Sequence, residues 1–198
     1  MSKKRITISL MSLIFLIYIL ILVFFKENNF LDLIYIKRTD TLTKIFNLIT
    51  KLGNWYIFII ITLLFLIFKD KKSFKYISIN LMLVTLINQL LKILFQRPRP
   101  ELNMIAATGY SFPSGHSMVS MAFYGFLIYL ILKSKHTKLD KIISTIILLF
   151  IILGIGFSRV YLGAHYMTDV LAGFTLAIIY LSIFTTIIEK GDKKNEKK

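Results

Sequence analysis

Six long apolar blocks, separated by short polar stretches, constrain the fold of this 198-residue chain more than any other feature. Each block is close to the ~20 residues that an α-helix needs to cross ~30 Å of hydrocarbon. An apolar content of 56% is also too high for these residues to be buried in a soluble core of this size. We therefore expect an all-α polytopic membrane protein with six transmembrane helices, at residues 6–25, 53–68, 74–95, 116–132, 142–158 and 168–188.

The first block follows a basic start, Lys3-Lys4-Arg5, as a secretory signal peptide would. It is long, however, and no small-residue cleavage pattern follows it. We interpret it as a retained helix. Residues 1–189 are then one six-helix membrane domain, and residues 190–198 are a charged, disordered cytoplasmic tail.

Most of the 25 lysines and arginines lie in the N-terminus, the loops at 69–75 and 133–141, and the C-terminal tail. The positive-inside rule therefore predicts that both termini are cytoplasmic and that the loops after the third and fifth blocks face outward. The formal charge of +15 occurs in short runs that flank the apolar blocks, not on one continuous basic face. This pattern argues against a nucleic-acid partner and for a bilayer.

The segment 26–52 is the long connection between the first two blocks. It mixes acidic and basic residues with apolar positions at Phe30, Leu33, Ile34 and Tyr35. An amphipathic interfacial helix and an ordinary solvated loop are equally consistent with this pattern.

The first of three polar clusters closes the third block, where Lys92 precedes the sequence Arg97-Pro98-Arg99-Pro100. A charged residue near the end of a spanning helix either snorkels to the interface or has a functional partner. Guanidinium groups match phosphate oxygens with two parallel hydrogen bonds. The cluster alone is therefore weak evidence for a phosphate site.

The second cluster opens the fourth block and reads Tyr110-Ser111-Phe112-Pro113-Ser114-Gly115-His116-Ser117. Ser114 is a favourable N-cap, and Gly115 allows an anion to approach the free N–H groups of a helix start. His116 falls in the first turn, where an imidazole could donate a proton. An N-cap followed by an interfacial histidine explains the same residues without any function.

The third cluster joins the fifth and sixth blocks and contains Ser158-Arg159, His165 and Asp169. Residues four apart share a helix face, so the Asp169 carboxylate can bind one imidazole nitrogen of His165 and leave the other as a nucleophile. By the predicted topology all three clusters lie at the outer ends of helices. We expect their cations, histidines and carboxylate to converge on one pocket for a tetrahedral dianion.

Together these motifs resemble the type 2 phosphatidic acid phosphatase (PAP2) superfamily, in its bacterial integral-membrane lipid phosphatase branch. The family signature reads K-x6-R-P, P-S-G-H and S-R-x5-H-x3-D, and every spacing fits between residues 92 and 169. The resemblance implies a PAP2/haloperoxidase-like helical core. Because only the second Arg-Pro pair has the family spacing from Lys92, Arg99 is assigned to phosphate, and Arg97 is left as a candidate headgroup contact.

The resemblance also implies the role of each site residue. His165 attacks phosphorus, Asp169 orients His165, and His116 protonates the departing lipid alkoxide. The phosphoryl oxygens are held by Lys92, Arg99, Ser114, Gly115 and Arg159. No metal and no cofactor are expected, since no cysteine is present and no second carboxylate or histidine triplet accompanies the motifs.

We therefore predict a membrane lipid phosphatase that acts at the extracytoplasmic face through a phosphohistidine. The candidate substrates are undecaprenyl diphosphate, phosphatidylglycerophosphate, phosphatidic acid and phosphorylated lipid A, and the short outer loops favour a small headgroup. A lipid phosphotransferase with a non-water acceptor is the nearest alternative. A noncatalytic transporter or scaffold is a more distant one, because transporters also carry intramembrane charge.

Overall fold

The computed structural model describes residues 3–24, 38–68, 70–101, 104–105 and 107–195. Within these residues the chain is all helical, with no β-strand, as predicted. The helices are α1 (Lys3–Phe24), α2 (Asp40–Lys51), α3 (Trp55–Ile67), α4 (Lys71–Phe95), α5 (Gly115–Lys133), α6 (Lys138–Tyr161) and α7 (Met167–Asn195).

Four helices, α4 to α7, are long and apolar enough to cross a membrane. Helices α2 and α3 meet at a 44° bend and pass the same test as a pair, which gives a fifth candidate span. In α1 the apolar stretch among the described residues is shorter, Ile6–Ile21. The described part of the chain therefore has four or five candidate spans by length and composition, and the sixth span and the orientation of the termini stay predictions.

Residues 40–51 form an amphipathic helix, α2. For this part of the segment 26–52, the amphipathic helix is therefore correct and the solvated loop is wrong. Thr39 caps α2, and Asp40 and Lys51 lie at the ends where their charges complement the helix dipole. Its inner face packs Phe46 against the Tyr161 ring of α6, with 4.5 Å between ring centroids. Phe30, Leu33, Ile34 and Tyr35 lie outside the described residues.

Helix α5 lies at the centre of the bundle and packs against α4, α6 and α7. The core beside it is rich in aromatic side chains, including Phe58, Phe123, Phe126 and Phe184. The outer faces of α4 and α6 instead expose large apolar side chains at helical spacing, which is the pattern of lipid-facing surfaces. These are Met82, Leu86, Leu90, Ile146, Phe150 and Leu153.

The crossing of α5 and α7 brings two of the sequence motifs together. A Cβ atom on Gly173 of α7 would lie 3.0 Å from the Ser114 carbonyl oxygen and 3.1 Å from the Met118 nitrogen of α5. These distances are tighter than most Cβ contacts, so glycine favours this close approach, as small residues do between membrane helices. The Ser114 amide also donates to the Asp169 carbonyl at 3.1 Å. Asp169 and the start of α5 are therefore held in fixed register.

The opposite end of the bundle is joined by ion pairs to α7. Lys72 lies 2.8 Å from Asp192, and Lys133 lies 3.0 Å from Glu189. The prediction of a disordered tail from residue 190 is wrong for residues 190–195, which continue α7. Lysine is a good helix former, and the Lys72–Asp192 contact fixes this last turn to α4.

Candidate active site

The three sequence motifs meet at one end of the bundle, away from the Lys72–Asp192 and Lys133–Glu189 ion pairs. Helices α4 and α6 end there, and helices α5 and α7 begin there. His165 lies in the short connection before α7, and Asp169 lies in the first turn of α7. Both are buried, with 2% and 0% of their surface exposed.

His165 is held through its Nδ1 atom. This atom lies 3.3 Å from Ser111 Oγ and 3.5 Å from Asp169 Oδ2. The Ser111 hydroxyl donates a short hydrogen bond to the same Asp169 Oδ2. Because its own proton is donated to Asp169, Ser111 Oγ can accept a hydrogen bond from the Nδ1–H group of His165. The neutral imidazole is then the tautomer that has its lone pair on Nε2.

The Nε2 atom of His165 faces Arg99, whose Nη1 lies 3.2 Å away. The Arg99 guanidinium is fixed by backbone carbonyls: Nε donates to Gly109 at 2.9 Å and Nη1 to Ala164 at 2.7 Å. It is therefore presented in one orientation beside the lone pair. A phosphoryl group bound at Nε2 would have guanidinium donors next to its oxygens.

Arg97 contacts Asp169 in this structure, and its candidate role as a headgroup contact stays a prediction. Its Nη1 donates to Asp169 Oδ1 at 2.6 Å and to Thr168 Oγ1 at 2.8 Å. Its guanidinium carbon lies 4.1 Å from the centroid of the Tyr166 ring. The buried Asp169 carboxylate thus has a cation on Oδ1 while Oδ2 accepts from Ser111 and from the Tyr166 amide at 3.0 Å.

The start of α5 lies beside this histidine. Ser114 is the N-cap, as predicted, and its Oγ accepts from the Ser117 amide at 3.4 Å. Ser114 Oγ also accepts from the Ser117 hydroxyl at 3.0 Å, and the Ser114 amide donates to Asp169, so the O–H proton is the donor that Ser114 can offer to a phosphate. The amides of Gly115 and His116 begin the helix, where N–H groups have no intrahelical acceptor, so these can bind an anion.

Arg159 and Lys92 complete the cationic lining. Arg159 Nη1 donates to Thr50 Oγ1 of α2 at 2.8 Å. Its Nε is buried and has no hydrogen-bond partner among the described residues. Lys92 Nζ donates to the Tyr110 carbonyl. The Lys92 ammonium group is close enough to Arg99 and Arg159 to interact with their charges. An unpaired buried guanidinium N–H is costly, so an anion here would be well stabilised.

Burial lowers the pKa of two loop residues of the site, His165 and Arg99. Burial lowers the pKa of His165 to about 4, although the hydrogen bond and charge of Asp169 act in the opposite direction. Burial also lowers the pKa of Arg99, and Asp169 again opposes this. Arginine stays protonated in proteins, so at neutral pH the site combines a neutral imidazole with cationic guanidinium groups.

Among the described residues, no group of three histidine, cysteine, aspartate or glutamate side chains lies close enough to hold a metal ion. The donors that line the site are instead cations, hydroxyls and amides. Such a set matches an anionic ligand. Metal independence itself stays a prediction.

The sequence motifs did not assign Ser111, Thr50 or Asn54, all of which contact site residues. Ser111 lies within the second cluster but follows no helical spacing that would link it to His165. Thr50 binds Arg159, and Asn54 Oδ1 lies 2.9 Å from His116 Nε2. Thr50 lies in the last turn of α2 and Asn54 lies just before α3. Each is more than 60 residues from its partner along the chain, so spacing could not reveal them.

The fold and the site define a multi-pass membrane protein with a buried histidine beside arginine side chains at one end of the bundle. A family model described as the PAP2 superfamily matches residues 73–192. The chain belongs to this superfamily, as the motif resemblance predicted.

Relatives and solved structures agree with this assignment. The chain is 36% identical to phosphatidylglycerophosphatase B of Bacillus subtilis over 118 residues, which covers 57% of this chain and 56% of that protein. It thus matches little more than half the length of this relative. It is 28% identical to an undecaprenyl-diphosphatase of Sulfolobus acidocaldarius over 162 residues, covering 76% and 74% of the two chains.

A crystal structure of a transmembrane PAP2-type phosphatidylglycerolphosphate phosphatase from Bacillus subtilis superposes with a TM-score of 0.79. The match covers 96% of this chain and 98% of that chain at 26% identity. The PAP2 membrane phosphatase fold is therefore shared over nearly the whole length of both chains.

Proposed function

We propose that this protein is a metal-independent lipid phosphate phosphatase that works through a phosphohistidine on His165. The observation that carries this proposal is the environment of the His165 ring. One nitrogen is fixed by Ser111 and Asp169, and the other presents its lone pair to Arg99. This is the arrangement of an oriented nucleophile beside a group that can bind the phosphoryl oxygens.

In the first step, His165 Nε2 attacks phosphorus and the bond from phosphorus to the lipid oxygen breaks. His116 gives a proton to the departing alkoxide, which is a poor leaving group without one. Asp169 and Ser111 stabilise the positive charge that the His165 ring acquires. In the second step, water attacks the phosphohistidine, His116 accepts its proton, and inorganic phosphate and neutral His165 are formed.

The transferred phosphoryl group is held by charge and by backbone. Arg99, Arg159 and Lys92 supply cations, and the amides of Gly115 and His116 supply donors at the positive end of α5. Hydrolysis of phosphate monoesters is among the slowest uncatalysed reactions. Fixed charges placed around the developing negative charge are therefore the main contribution that this site can make.

A lipid phosphate is the substrate class that the setting supports. The site lies at helix ends, so a headgroup can bind the cations while its acyl or prenyl tails stay between apolar helix surfaces. Relatives named as a phosphatidylglycerophosphatase and an undecaprenyl-diphosphatase support phosphatidylglycerophosphate and undecaprenyl diphosphate as first candidates. The lysine-rich loops at the opposite end favour an extracytoplasmic site.

The test is phosphate release from these lipids in detergent by wild type and His165→Ala. We expect turnover by the wild type and none above background by the variant, with unchanged membrane insertion. His136→Ala is the matched control, because His136 lies in the exposed loop between α5 and α6. Near-wild-type release by His165→Ala would refute the proposal.

A further inference from the structure

Asn54 makes a directed contact with His116 from outside the three motifs. Its Oδ1 lies 2.9 Å from His116 Nε2, and its Nδ2 donates to the Tyr56 hydroxyl at 3.0 Å. Because the amide nitrogen is used by Tyr56, the oxygen faces the imidazole and can only accept. The proton of this hydrogen bond therefore belongs to His116 Nε2.

The position of Asn54 makes this contact unusual. Asn54 is the N-cap of α3, where asparagine ordinarily accepts a hydrogen bond from a backbone amide of the first turn. Here its side chain makes no capping hydrogen bond. The side chain that could stabilise its own helix is turned toward a histidine on α5.

The turn that carries Asn54 is built to approach His116 closely. A Cβ atom on Gly53 would lie 2.9 Å from His116 Cδ2 and 2.8 Å from Ile155 Cγ2, so any larger residue would push the turn away. The Tyr124 hydroxyl donates to the Leu52 carbonyl at 2.8 Å and ties the turn to α5. Three consecutive residues thus fix the distance between this turn and His116.

We propose that Asn54 is a positioning residue for His116 that fixes which ring nitrogen exchanges the catalytic proton. With Nε2–H bound to Asn54, the acid is the imidazolium form of His116, which carries a second proton on Nδ1. Nδ1 gives this proton to the departing lipid oxygen, which leaves His116 neutral, and takes one back from the attacking water in the second step. His116 keeps the Nε2 proton throughout. This inference rests on the proposed function, since it assigns a role to the acid of that reaction.

The consequence is a dependence on the leaving group. A poor leaving group, such as a lipid alkoxide, needs the proton from His116, whereas p-nitrophenolate departs without it. Loss of Asn54 should therefore impair hydrolysis of an alkyl phosphate much more than hydrolysis of p-nitrophenyl phosphate. A merely structural role would impair both to the same degree.

The experiment compares kcat for an alkyl phosphate lipid and for p-nitrophenyl phosphate. Asn54→Leu removes the acceptor at similar volume, Asn54→Asp keeps an acceptor oxygen, and Asn54→Ala serves if the leucine does not fit. We expect Asn54→Leu to lower kcat for the alkyl phosphate roughly 10- to 100-fold, part of the full effect of an acid catalyst. Asn54→Asp should restore most of this loss.

A double variant tests whether Asn54 acts through His116. In a His116→Ala background, Asn54→Leu should cause no further loss with the alkyl phosphate, because the positioned group is already gone. Equal losses on both substrates, or an additive loss in the double variant, would overturn the inference. His165→Ala is assayed in parallel, and if it retains activity the proposed function fails. If His165→Ala is inactive and Asn54→Leu loses the same factor in kcat on both substrates, only the role of Asn54 is refuted.

Discussion

Replacing Arg97 by alanine tests whether this arginine acts through Asp169 or contacts the lipid headgroup. Arg97 Nη1 lies 2.6 Å from Asp169 Oδ1, with 15% of the arginine side chain and 0% of the aspartate side chain exposed. The substitution leaves a buried carboxylate with Ser111, the Tyr166 amide and His165 as its neighbours. Asp169 should then orient His165 less well, and kcat should fall.

The expected fall in kcat follows from the hydrogen bond between Arg97 and Asp169 that the substitution removes. A hydrogen bond to a charged group contributes about 1.5–3 kcal/mol. Since each 1.36 kcal/mol in the barrier is tenfold in rate, a loss expressed wholly in the chemical step is roughly 10- to 150-fold in kcat. Any share taken up as lower folding stability reduces the kinetic effect and should appear in thermal unfolding.

The assay is steady-state phosphate release from two lipid phosphates that differ in headgroup size, such as phosphatidylglycerophosphate and phosphatidic acid. An effect through Asp169 lowers kcat for both lipids by the same factor. Lys135→Ala is the matched control, because it removes an exposed cation from the loop between α5 and α6. A rise in KM for one headgroup with unchanged kcat would refute this reasoning and favour a headgroup contact.

Three further predictions concern the protonation, metal and packing of the site. Burial lowers the pKa of His165 to about 4, so its imidazole should stay neutral at pH values well below the ordinary histidine pKa of about 6.5. An NMR titration in which His165 protonates near pH ~6.5 would contradict this. EDTA should leave phosphate release unchanged, and a strict requirement for Mg²⁺ would count against the proposed mechanism. Gly173→Val should push α7 off the backbone of α5, destabilise the fold by about 1–3 kcal/mol in thermal or denaturant unfolding and reduce activity. Gly191→Val, where a Cβ atom would have no neighbour within 4 Å, should do neither.

The helices could be predicted closely where apolar blocks are long. The block at 116–132 became α5 at Gly115–Lys133, and the block at 142–158 became α6 at Lys138–Tyr161. Hydropathy identifies the apolar part of a helix but not the polar turns that continue it. For the same reason the extension of α7 through residues 190–195 was missed.

The residues of the site could be selected by spacing only where the partners are close in sequence. His165 and Asp169 are four residues apart and lie in contact, although His165 precedes the helix instead of sharing it. The contact of Arg97 with Asp169 was not predicted, because the sequence contains two Arg-Pro pairs and spacing from Lys92 selects only the second of them. Contacts such as Asn54 with His116 depend on how helices pack, which no local pattern encodes.

The stereochemical course at phosphorus tests the central claim most directly. A lipid phosphorothioate made chiral with two oxygen isotopes would be hydrolysed by the wild-type enzyme in water that carries the third isotope, and the configuration of the chiral thiophosphate product would be determined. Transfer to His165 followed by transfer to water is two in-line displacements, each of which inverts the configuration. The account predicts net retention, and net inversion would show that water attacks the substrate directly and would contradict it.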